Sequence, residues 1–285
     1  MLSDHSLALP VTGETVRLSA RVRRVVARNA GPLTGAGTNT YVVGTAELAV
    51  IDPGPDDAAH LMAILACCDA PVAWILVTHT HADHSPGARL LRERTGATVL
   101  GRRAPDAPRQ DRRFRPDVEP TDGERVLLEG AALRCIATPG HASNHVCFLL
   151  EDERLLFTGD HVLGGVSPVI LAPDGDMADY LCALERLRAL DLAWLAPGHG
   201  PLLPEPARVI DGLIAHRLRR EAKVIDRLGA IGPGSLDDLL AVVYDDVAPG
   251  LHDFARHSLL AHLLKLEREG IAAREGDSWR SRAPQ

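Results

Sequence analysis

Short runs of apolar and β-branched residues recur along the first 200 or so positions, with turns rich in glycine and proline between them. Such runs of four to eight residues are typical of buried strands, whereas apolar residues three or four positions apart are typical of amphipathic helices. The alternation of the two patterns predicts an α/β layered fold. The predicted strands are 21–27, 40–43, 48–51, 72–77, 97–100, 125–128, 132–137, 146–150, 155–158 and 192–196, and the predicted helices are 58–68, 86–96 and 176–190.

The pattern changes near residue 206, where helical spacing dominates. Ser235, followed three residues later by Asp238, is close to a capping box and predicts a helix start. Three helices and a small hairpin describe a winged-helix module. We therefore predict two domains, 1–205 and 206–285. The predicted elements of the second are helices 209–228, 236–243 and 252–269 and a short strand at 271–274.

The charge distribution bears on the role of this second domain. The net charge is −7, and from residue 206 onward 12 basic residues face 12 acidic ones. A face that binds nucleic acid without sequence preference is basic. The composition therefore favours a packing or substrate-capping role over DNA reading. The exception is an arginine-rich segment at 102–115, which is either a solvated loop or an anion-attracting rim beside the active site.

Composition also restricts the cellular setting. The chain has 285 residues, 46% of them hydrophobic, and no apolar run approaches the roughly 20 residues that span a bilayer. The N-terminal residues show no basic segment followed by an apolar core, so we expect no signal peptide. The five cysteines are odd in number and lie in apolar surroundings, which indicates reduced core thiols. We expect a cytoplasmic protein that does not associate with membranes.

Candidate chemistry is densest in the loop after the predicted strand 72–77. Ser85 is predicted to cap the following helix, with Pro86 at its first position. Just before them, three histidines and an aspartate fall within six residues. Imidazole and carboxylate groups are ligands for zinc and similar metals, although polar residues also collect in loops for no such reason. The four candidates are His79, His81, Asp83 and His84.

Three more ligand-type residues each follow a predicted strand inside a turn that contains glycine. They are His141, Asp160 and His199. Side chains at the ends of several strands along one sheet edge can converge on one site. The sequence therefore predicts one metal centre assembled from four separate turns.

The order of these motifs resembles the metallo-β-lactamase superfamily over residues 1–205. The resemblance implies an αββα sandwich with a small C-terminal winged-helix-like domain. It also implies a binuclear centre. In that centre His79, His81 and His141 would hold one ion, Asp83, His84 and His199 the other, and Asp160 would bridge them.

Such a centre binds two divalent metal ions, for which zinc is expected first and manganese or iron are alternatives. Between two ions the pKa of a bound water falls towards about 7. We therefore expect a metal-bridging hydroxide to attack an ester, thioester or phosphodiester. Asp83 would orient that hydroxide or accept its proton. His145 is either a general acid or a residue that packs at a strand start.

Residues around the motifs receive supporting roles. Asp52 ends a strand and is placed in the outer shell of the metal site. Asn39 and Tyr41 either line the pocket or hold a turn. His161 is expected to support the loop that contains Asp160.

Segments 31–34 and 37–41, together with the C-terminal module, resemble the lactamase-β-2-like branch. That resemblance implies a hydrolase acting on a small-molecule ester or thioester. The alternative is cleavage of single-stranded RNA, because the branch includes an endoribonuclease. A more remote alternative is a regulatory binding protein with a vestigial metal site. Antibiotic hydrolysis is not expected, because members dedicated to β-lactams lack the aspartate found here as Asp160. A homodimer is implied by the resemblance alone.

Overall fold

Two six-stranded sheets form the centre of the structure, a computed structural model that describes residues 8–282. The segment 1–7, for which no signal peptide is predicted, lies outside these residues. The first sheet contains, in spatial order, β1 (Thr15–Arg17), β2 (Val22–Val26), β3 (Asn39–Gly44), β4 (Leu48–Ile51), β5 (Val72–Leu76) and β6 (Thr98–Leu100). The second contains β7 (Arg125–Leu128), β8 (Ala131–Ala137), β9 (Val146–Leu150), β10 (Leu155–Gly159), β11 (Trp194–Pro197) and β12 (Leu203–Pro204), also in chain order.

Most neighbouring strands are antiparallel, but β4–β5, β5–β6 and β10–β11 run parallel. Parallel strands need crossover connections, which here contain α1 (Ala58–Ala66), α2 (Gly87–Thr95) and α3 (Met177–Arg188). The strands β4, β5 and β10 end at the same edge of the sandwich as the loops that contain the candidate ligands. The crossovers therefore place those loops together.

Each sheet buries one face against the other and the opposite face against helices. Tyr41, Ile51, Phe148 and Phe157 lie in the core between the sheets. A second apolar cluster joins the first sheet to α1 and α2, and a third joins the second sheet to α3. This arrangement confirms the predicted αββα sandwich.

The C-terminal domain is built from three helices and a small sheet. Its helices are α4 (Pro206–Ile231), α5 (Leu236–Val243) and α6 (His252–Arg268), and its strands are β13 (Gly234–Ser235), β14 (Ala272–Glu275) and β15 (Ser278–Ser281). The predicted capping box is present, because the Ser235 side chain accepts from the Asp238 backbone and the Asp238 side chain accepts from the Ser235 backbone. The proposed division between residues 205 and 206 coincides with the start of α4.

Four details differ from the sequence predictions. The helix predicted at 209–228 is longer at both ends, and the strands β1, β12 and β13 were not predicted. Ser85 does not cap α2, because its hydroxyl donates to Asp111 Oδ2 at 3.1 Å and the cap position belongs to Pro86. All five cysteines are free, but Cys182 is exposed and so is not a core thiol. Within residues 8–282 no helix combines the length and apolar character needed to cross a bilayer.

Candidate metal centre and cavity

One buried carboxylate holds the loop between β5 and α2 in place through hydrogen bonds. Asp52, at the end of β4, accepts from the backbone N–H of Thr78 at 2.8 Å and from its hydroxyl at 2.8 Å. The same carboxylate lies 2.9 Å from Nδ1 of His84. The outer-shell placement expected for Asp52 is therefore what the structure shows, and it fixes both ends of the histidine-rich loop.

Of the three other turns, one is held by close packing and another by side-chain hydrogen bonds. Gly140, next to His141, has φ of +138°, and a Cβ there would lie 2.3 Å from Cα of Tyr180. Asn39 donates to the carbonyls of Pro197 and Gly200, and the Tyr41 hydroxyl also donates to Pro197. Asn39 and Tyr41 thus hold the turn that contains the seventh candidate ligand, His199.

All seven candidate ligands converge at this edge. They form three overlapping groups in which the ligand atoms lie within 4.8 Å of one another. The groups are His79–His81–His141, His79–His84–Asp160 and Asp83–His84–His199. The first and third coincide with the two triads implied by the superfamily resemblance, and Asp160 lies between them.

Several ligand atoms have the environment that a metal would complete. Nε2 of His79 lies 2.8 Å from Nδ1 of His81, which lies 3.1 Å from Nε2 of His141. Nε2 of His84 and Oδ1 of Asp160 are buried and lie 3.3 Å apart, without a hydrogen bond of good geometry among the described residues. Buried polar atoms are rarely left unsatisfied, so the donor set fits bound divalent ions.

The nitrogens that face away from the cluster are hydrogen-bonded. Nδ1 of His79 pairs with the Thr78 hydroxyl, and Nδ1 of His141 lies 2.8 Å from the carbonyl oxygen of Val169. Nδ1 of His199 lies 3.3 Å from the carbonyl of Gly37. Outer partners of this kind select the tautomer and orient the ring for ligation.

Burial and neighbouring charge set the protonation of the cluster. Burial lowers the pKa of His81 to about 3 and that of His79 well below its usual value. Burial alone would also lower the pKa of His199, but Asp160 and Asp83 raise it to about 10. The carboxylate Asp83 has a lowered pKa, because His84 and His199 outweigh the opposing effect of burial. The pKa of His84 is also raised, because Asp83, Asp160 and Asp52 outweigh burial. The carboxylates are therefore ionised and His79 and His81 neutral, whereas His84 and His199 hold protons that a metal ion at the second triad would displace.

A cavity of about 580 Å³ opens from the ligand cluster. Five of the candidate ligands line it: His81, Asp83, His141, Asp160 and His199. Apolar side chains from both domains form much of its remaining wall. They include Leu33, Leu163, Val166, Val169, Leu171, Val247, Leu251, Phe254 and Ala255. A concave, mainly apolar site with a few convergent polar groups suits a small-molecule ligand.

His145 does not reach this cavity. It is fully buried, its Nδ1 lies 2.8 Å from the Thr138 hydroxyl, and its Nε2 accepts from the Asp160 backbone N–H at 3.2 Å. Both ring nitrogens are thus engaged, so the geometry favours the packing alternative. His161 is also fully buried and lies against the Tyr180 ring at a centroid distance of 4.8 Å.

The arginine-rich segment contributes only Arg109 to the cavity wall, at a backbone φ of +66°. Three of its other arginines pair with carboxylates, namely Arg103 with Glu119, Arg112 with Asp106 and Arg113 with Asp111. Half of the six arginines in this segment are therefore charge-compensated at the surface.

The sequence analysis did not identify the C-terminal polar wall of the cavity. His216, Arg217, Arg220, Tyr244 and Ser258 line it. The spacing of His216, Arg217 and Arg220 would place them near one another on a helix, but it does not reveal that this side of the helix faces the other domain.

Residues 33–199 match the model of the Metallo-beta-lactamase superfamily, and residues 235–279 match that of the Beta-lactamase associated winged helix domain. The first match covers more than half of the chain. The chain therefore belongs to the metallo-beta-lactamase superfamily, and its C-terminal domain is a winged helix.

Similarity to individual relatives indicates the branch of the superfamily to which this chain is related. The chain is 31% identical over 264 residues to Beta-lactamase-like protein 2 homolog of Caenorhabditis elegans, covering 90% of this chain and 87% of the relative. It is 35% identical over 233 residues to Atrochrysone carboxyl ACP thioesterase of Aspergillus fumigatus, covering 79% of this chain and 70% of that protein. The crystal structure of a metallo-beta-lactamase family protein from Thermus thermophilus has a TM-score of 0.77 at 26% identity, covering 93% of this chain and 99% of that one. The first relative confirms the resemblance to the lactamase-β-2-like branch.

Proposed function

We propose that this protein is a binuclear metal-dependent hydrolase that cleaves thioesters with hydrophobic acyl groups. The observation that carries the proposal is the cavity of about 580 Å³, which joins the ligand cluster to apolar walls from both domains. An acyl group placed in this cavity would bring its thioester carbonyl next to the cluster. The similarity to a relative named as an ACP thioesterase supports the same chemistry.

The proposed ligand sets follow the groups found in the structure. His79, His81 and His141 would hold one ion, Asp83, His84 and His199 the second, and Asp160 both. Zinc is expected first, with manganese or iron as alternatives. Two such ions supply Lewis acidity and an activated water at neutral pH.

Two residues of the protein would act beyond ligation. The Asp83 side chain is 28% exposed and lines the cavity, with Oδ2 at 3.1 Å from Nε2 of His199. It is therefore placed to orient an attacking water or to receive its proton. His145 would act as a positioning residue, because it accepts the Asp160 backbone N–H.

Single-stranded RNA is the second candidate substrate, favoured by the position of Arg109 at the cavity wall and by the branch resemblance. It has less support from the surface charge, since the neighbouring arginines pair with carboxylates and the net charge is −7. Binding to a phosphate backbone draws its affinity mainly from uncompensated Lys and Arg.

The test compares wild type with Asp160→Asn after reconstitution with zinc or manganese. The substrates are an octanoyl N-acetylcysteamine thioester and a labelled single-stranded RNA. Wild type is expected to hydrolyse the thioester. The hydrolytic activity of Asp160→Asn should be lower by more than about a hundredfold, since loss of even an outer-shell partner lowers metal affinity or activity by up to about a hundredfold.

Asp106→Asn is the matched control, because this carboxylate is on the surface and 92% exposed. Its activity should equal that of wild type. A fully metal-loaded wild type that hydrolyses no thioester would contradict the proposal. RNA cleavage by wild type that disappears in Asp160→Asn would instead show that the same centre hydrolyses phosphodiesters.

A further inference from the structure

A buried arginine without an anionic partner among residues 8–282 lines the inner wall of the cavity. Arg217, on α4, is 3% exposed. Its Nη2 donates to the carbonyl of Pro168, and its Cζ lies 5.4 Å from the centroid of the Tyr180 ring. Its Nε is buried and forms no hydrogen bond of good geometry in the described part of the chain, although the Tyr180 hydroxyl lies beside the guanidinium and interacts with it.

Two neighbouring charged side chains of α4 are compensated, whereas Arg217 is not. Arg220 pairs with Asp246 at 2.7 Å. Glu221, one turn along α4, lies 2.7 Å from Nζ of Lys265 and 3.2 Å from Nδ1 of His262. Within the residues that the structure describes, no carboxylate forms an ion pair with Arg217.

A buried cation without a counter-ion is unfavourable, because desolvation is repaid only by an opposite charge with good hydrogen bonds. Contact with an aromatic face and one carbonyl offsets part of this penalty. Arg217 lines the cavity. Its guanidinium retains donors that no described carboxylate uses, in the planar arrangement that binds a carboxylate through two hydrogen bonds. The missing partner is therefore best supplied from the cavity.

Arg217 and a candidate metal ligand contact adjacent residues of one loop, which places the arginine close to the metal centre. Arg217 is bonded to the carbonyl of Pro168, and the candidate ligand His141 to the carbonyl of the next residue, Val169. Consecutive Cα atoms are about 3.8 Å apart, so Arg217 Nη2 lies within roughly 11 Å of Nδ1 of His141. One medium-length acyl chain would span this distance.

We infer that Arg217 forms an anion subsite and that the acyl group of the substrate has a carboxylate at the end remote from the thioester. The inference rests on the proposed function and specifies its substrate class. His216 and Ser258 line the same wall and supply further hydrogen-bonding groups. The apolar walls between the two ends would hold the methylene chain.

The test uses matched thioesters of N-acetylcysteamine with zinc-loaded protein. The acyl groups are suberyl, its methyl ester and octanoyl. Wild type should prefer suberyl over the methyl ester by about 10- to 100-fold in kcat/KM, the range expected for hydrogen bonds to a charged group. In Arg217→Gln this ratio should fall towards one, mainly through KM, and Arg217→Lys should restore part of it. Arg219→Gln, exposed on the same helix, should keep the wild-type ratio.

A binding measurement separates this inference from the proposed function. Calorimetry would compare suberate with octanoate, since both offer one carboxylate to the metals and only suberate offers a second. Wild type should bind suberate more tightly, and Arg217→Gln should bind both alike. Equal binding of the two ligands by wild type, or a preference for suberate that survives Arg217→Gln, would overturn the inference, even if thioesters are hydrolysed.

The two experiments can also give different answers. If no thioester is hydrolysed but suberate is still preferred through Arg217, the subsite stands and the proposed reaction fails. The wild-type ligand comparison remains decisive if Arg217→Gln does not fold.

Discussion

At the residue scale, a few buried polar side chains determine the geometry of the candidate centre. Asp52 adopts a positive φ of 50° and bonds both Thr78 and His84. A strained backbone persists where the surrounding contacts over-determine it, as they do here. Its carboxylate is therefore an orienting group for the ring of His84, which is itself fully buried.

Asp52→Asn should weaken metal binding about 10- to 100-fold, the usual effect of losing an outer-shell carboxylate. The amide can still accept from Thr78, but its NH2 group cannot accept from Nδ1 of His84. Competition with a chromophoric chelator measures the affinity. Asp56→Asn is the control, because Asp56 is a surface residue that pairs with Arg89 at 3.6 Å. Equal affinity in the two variants would show that Asp52 does not orient the ligand.

His60 should make stability depend on pH. It is 3% exposed, its Nε2 lies 2.8 Å from the Thr40 hydroxyl, and burial lowers its pKa to about 4. In the unfolded protein the His60 side chain has a pKa of 6.5 and becomes protonated below that pH. In the folded protein it stays neutral until the pH falls to about 4. The stabilisation is therefore complete above pH 6.5 and is lost as the pH falls towards 4.

The loss should total on the order of 3 kcal/mol, from about 1.4 kcal/mol for each unit of pKa. Urea unfolding of wild type and His60→Gln across that pH range measures it. The wild-type curve should fall more steeply, since both proteins share every other titrating group. Parallel curves would show that His60 contributes no such dependence.

At the element scale, each ligand turn follows the end of a strand, and three of the four turns contain a glycine that permits close packing. Gly140 shows this need most directly, since any Cβ would overlap the backbone of α3. The glycines of α4 differ. A Cβ added at Gly229 would meet no described atom within 4 Å, and this glycine lies inside a helix of 26 residues.

Gly229→Ala should stabilise the protein by about 0.5–1 kcal/mol, because alanine loses less backbone entropy in a helix. The same substitution at Gly140 should destabilise the protein and weaken metal binding through displacement of His141. Urea midpoints with unchanged m-values measure the first effect, and metal titration the second. A destabilised Gly229→Ala would show that α4 is strained or contacts something at this position.

Most elements were predictable from the sequence because their signals are local. The apolar runs identified ten strands, and Asp176 and Ser235 correctly marked two helix starts through their side-chain caps. Ser85 was misread because the same hydroxyl can serve a cap or a distant partner, and Asp111 from the arginine-rich loop competes for it. The strand β1 is three residues long and owes its order to pairing with β2 rather than to its own pattern.

At the scale of the whole molecule, the two domains share one hydrophobic core region. Ile210 and Ile214 of α4 and Ala261 of α6 pack in the same cluster as Tyr180 and Leu184 of α3. The cavity also has walls from both domains. Such continuity indicates that neither domain buries its apolar surface fully alone.

Zinc-loaded protein should therefore unfold in urea in one cooperative transition. Trp279 lies in the C-terminal domain, and Trp74 and Trp194 pack against the inter-sheet core. Fluorescence of Trp279→Phe reports the first domain, and that of a Trp74→Phe, Trp194→Phe double variant reports the second. Coincident midpoints are expected. Two separated midpoints would mean that the shared cluster is too weak to couple the domains.

The sequence by itself determined the elements and the identity of the candidate ligands. Strand runs, turn glycines and clustered imidazoles are local patterns, and their order along the chain also identified the superfamily. The residues that surround the centre were partly visible in the same way, as with Asp52 at a strand end.

Only the tertiary structure decided what faces the centre. His145 and His199 look alike in sequence, yet one is enclosed with both nitrogens bonded and the other lines the cavity. Arg217 and Arg220 lie three residues apart, yet within residues 8–282 only Arg220 has a carboxylate partner. Partnership of this kind depends on contacts between residues distant along the chain, here 26 positions for Arg220 and Asp246 and 49 for Arg217 and Pro168. No local pattern encodes such contacts, because the first forms when the C-terminal domain folds and the second when that domain packs against the sandwich.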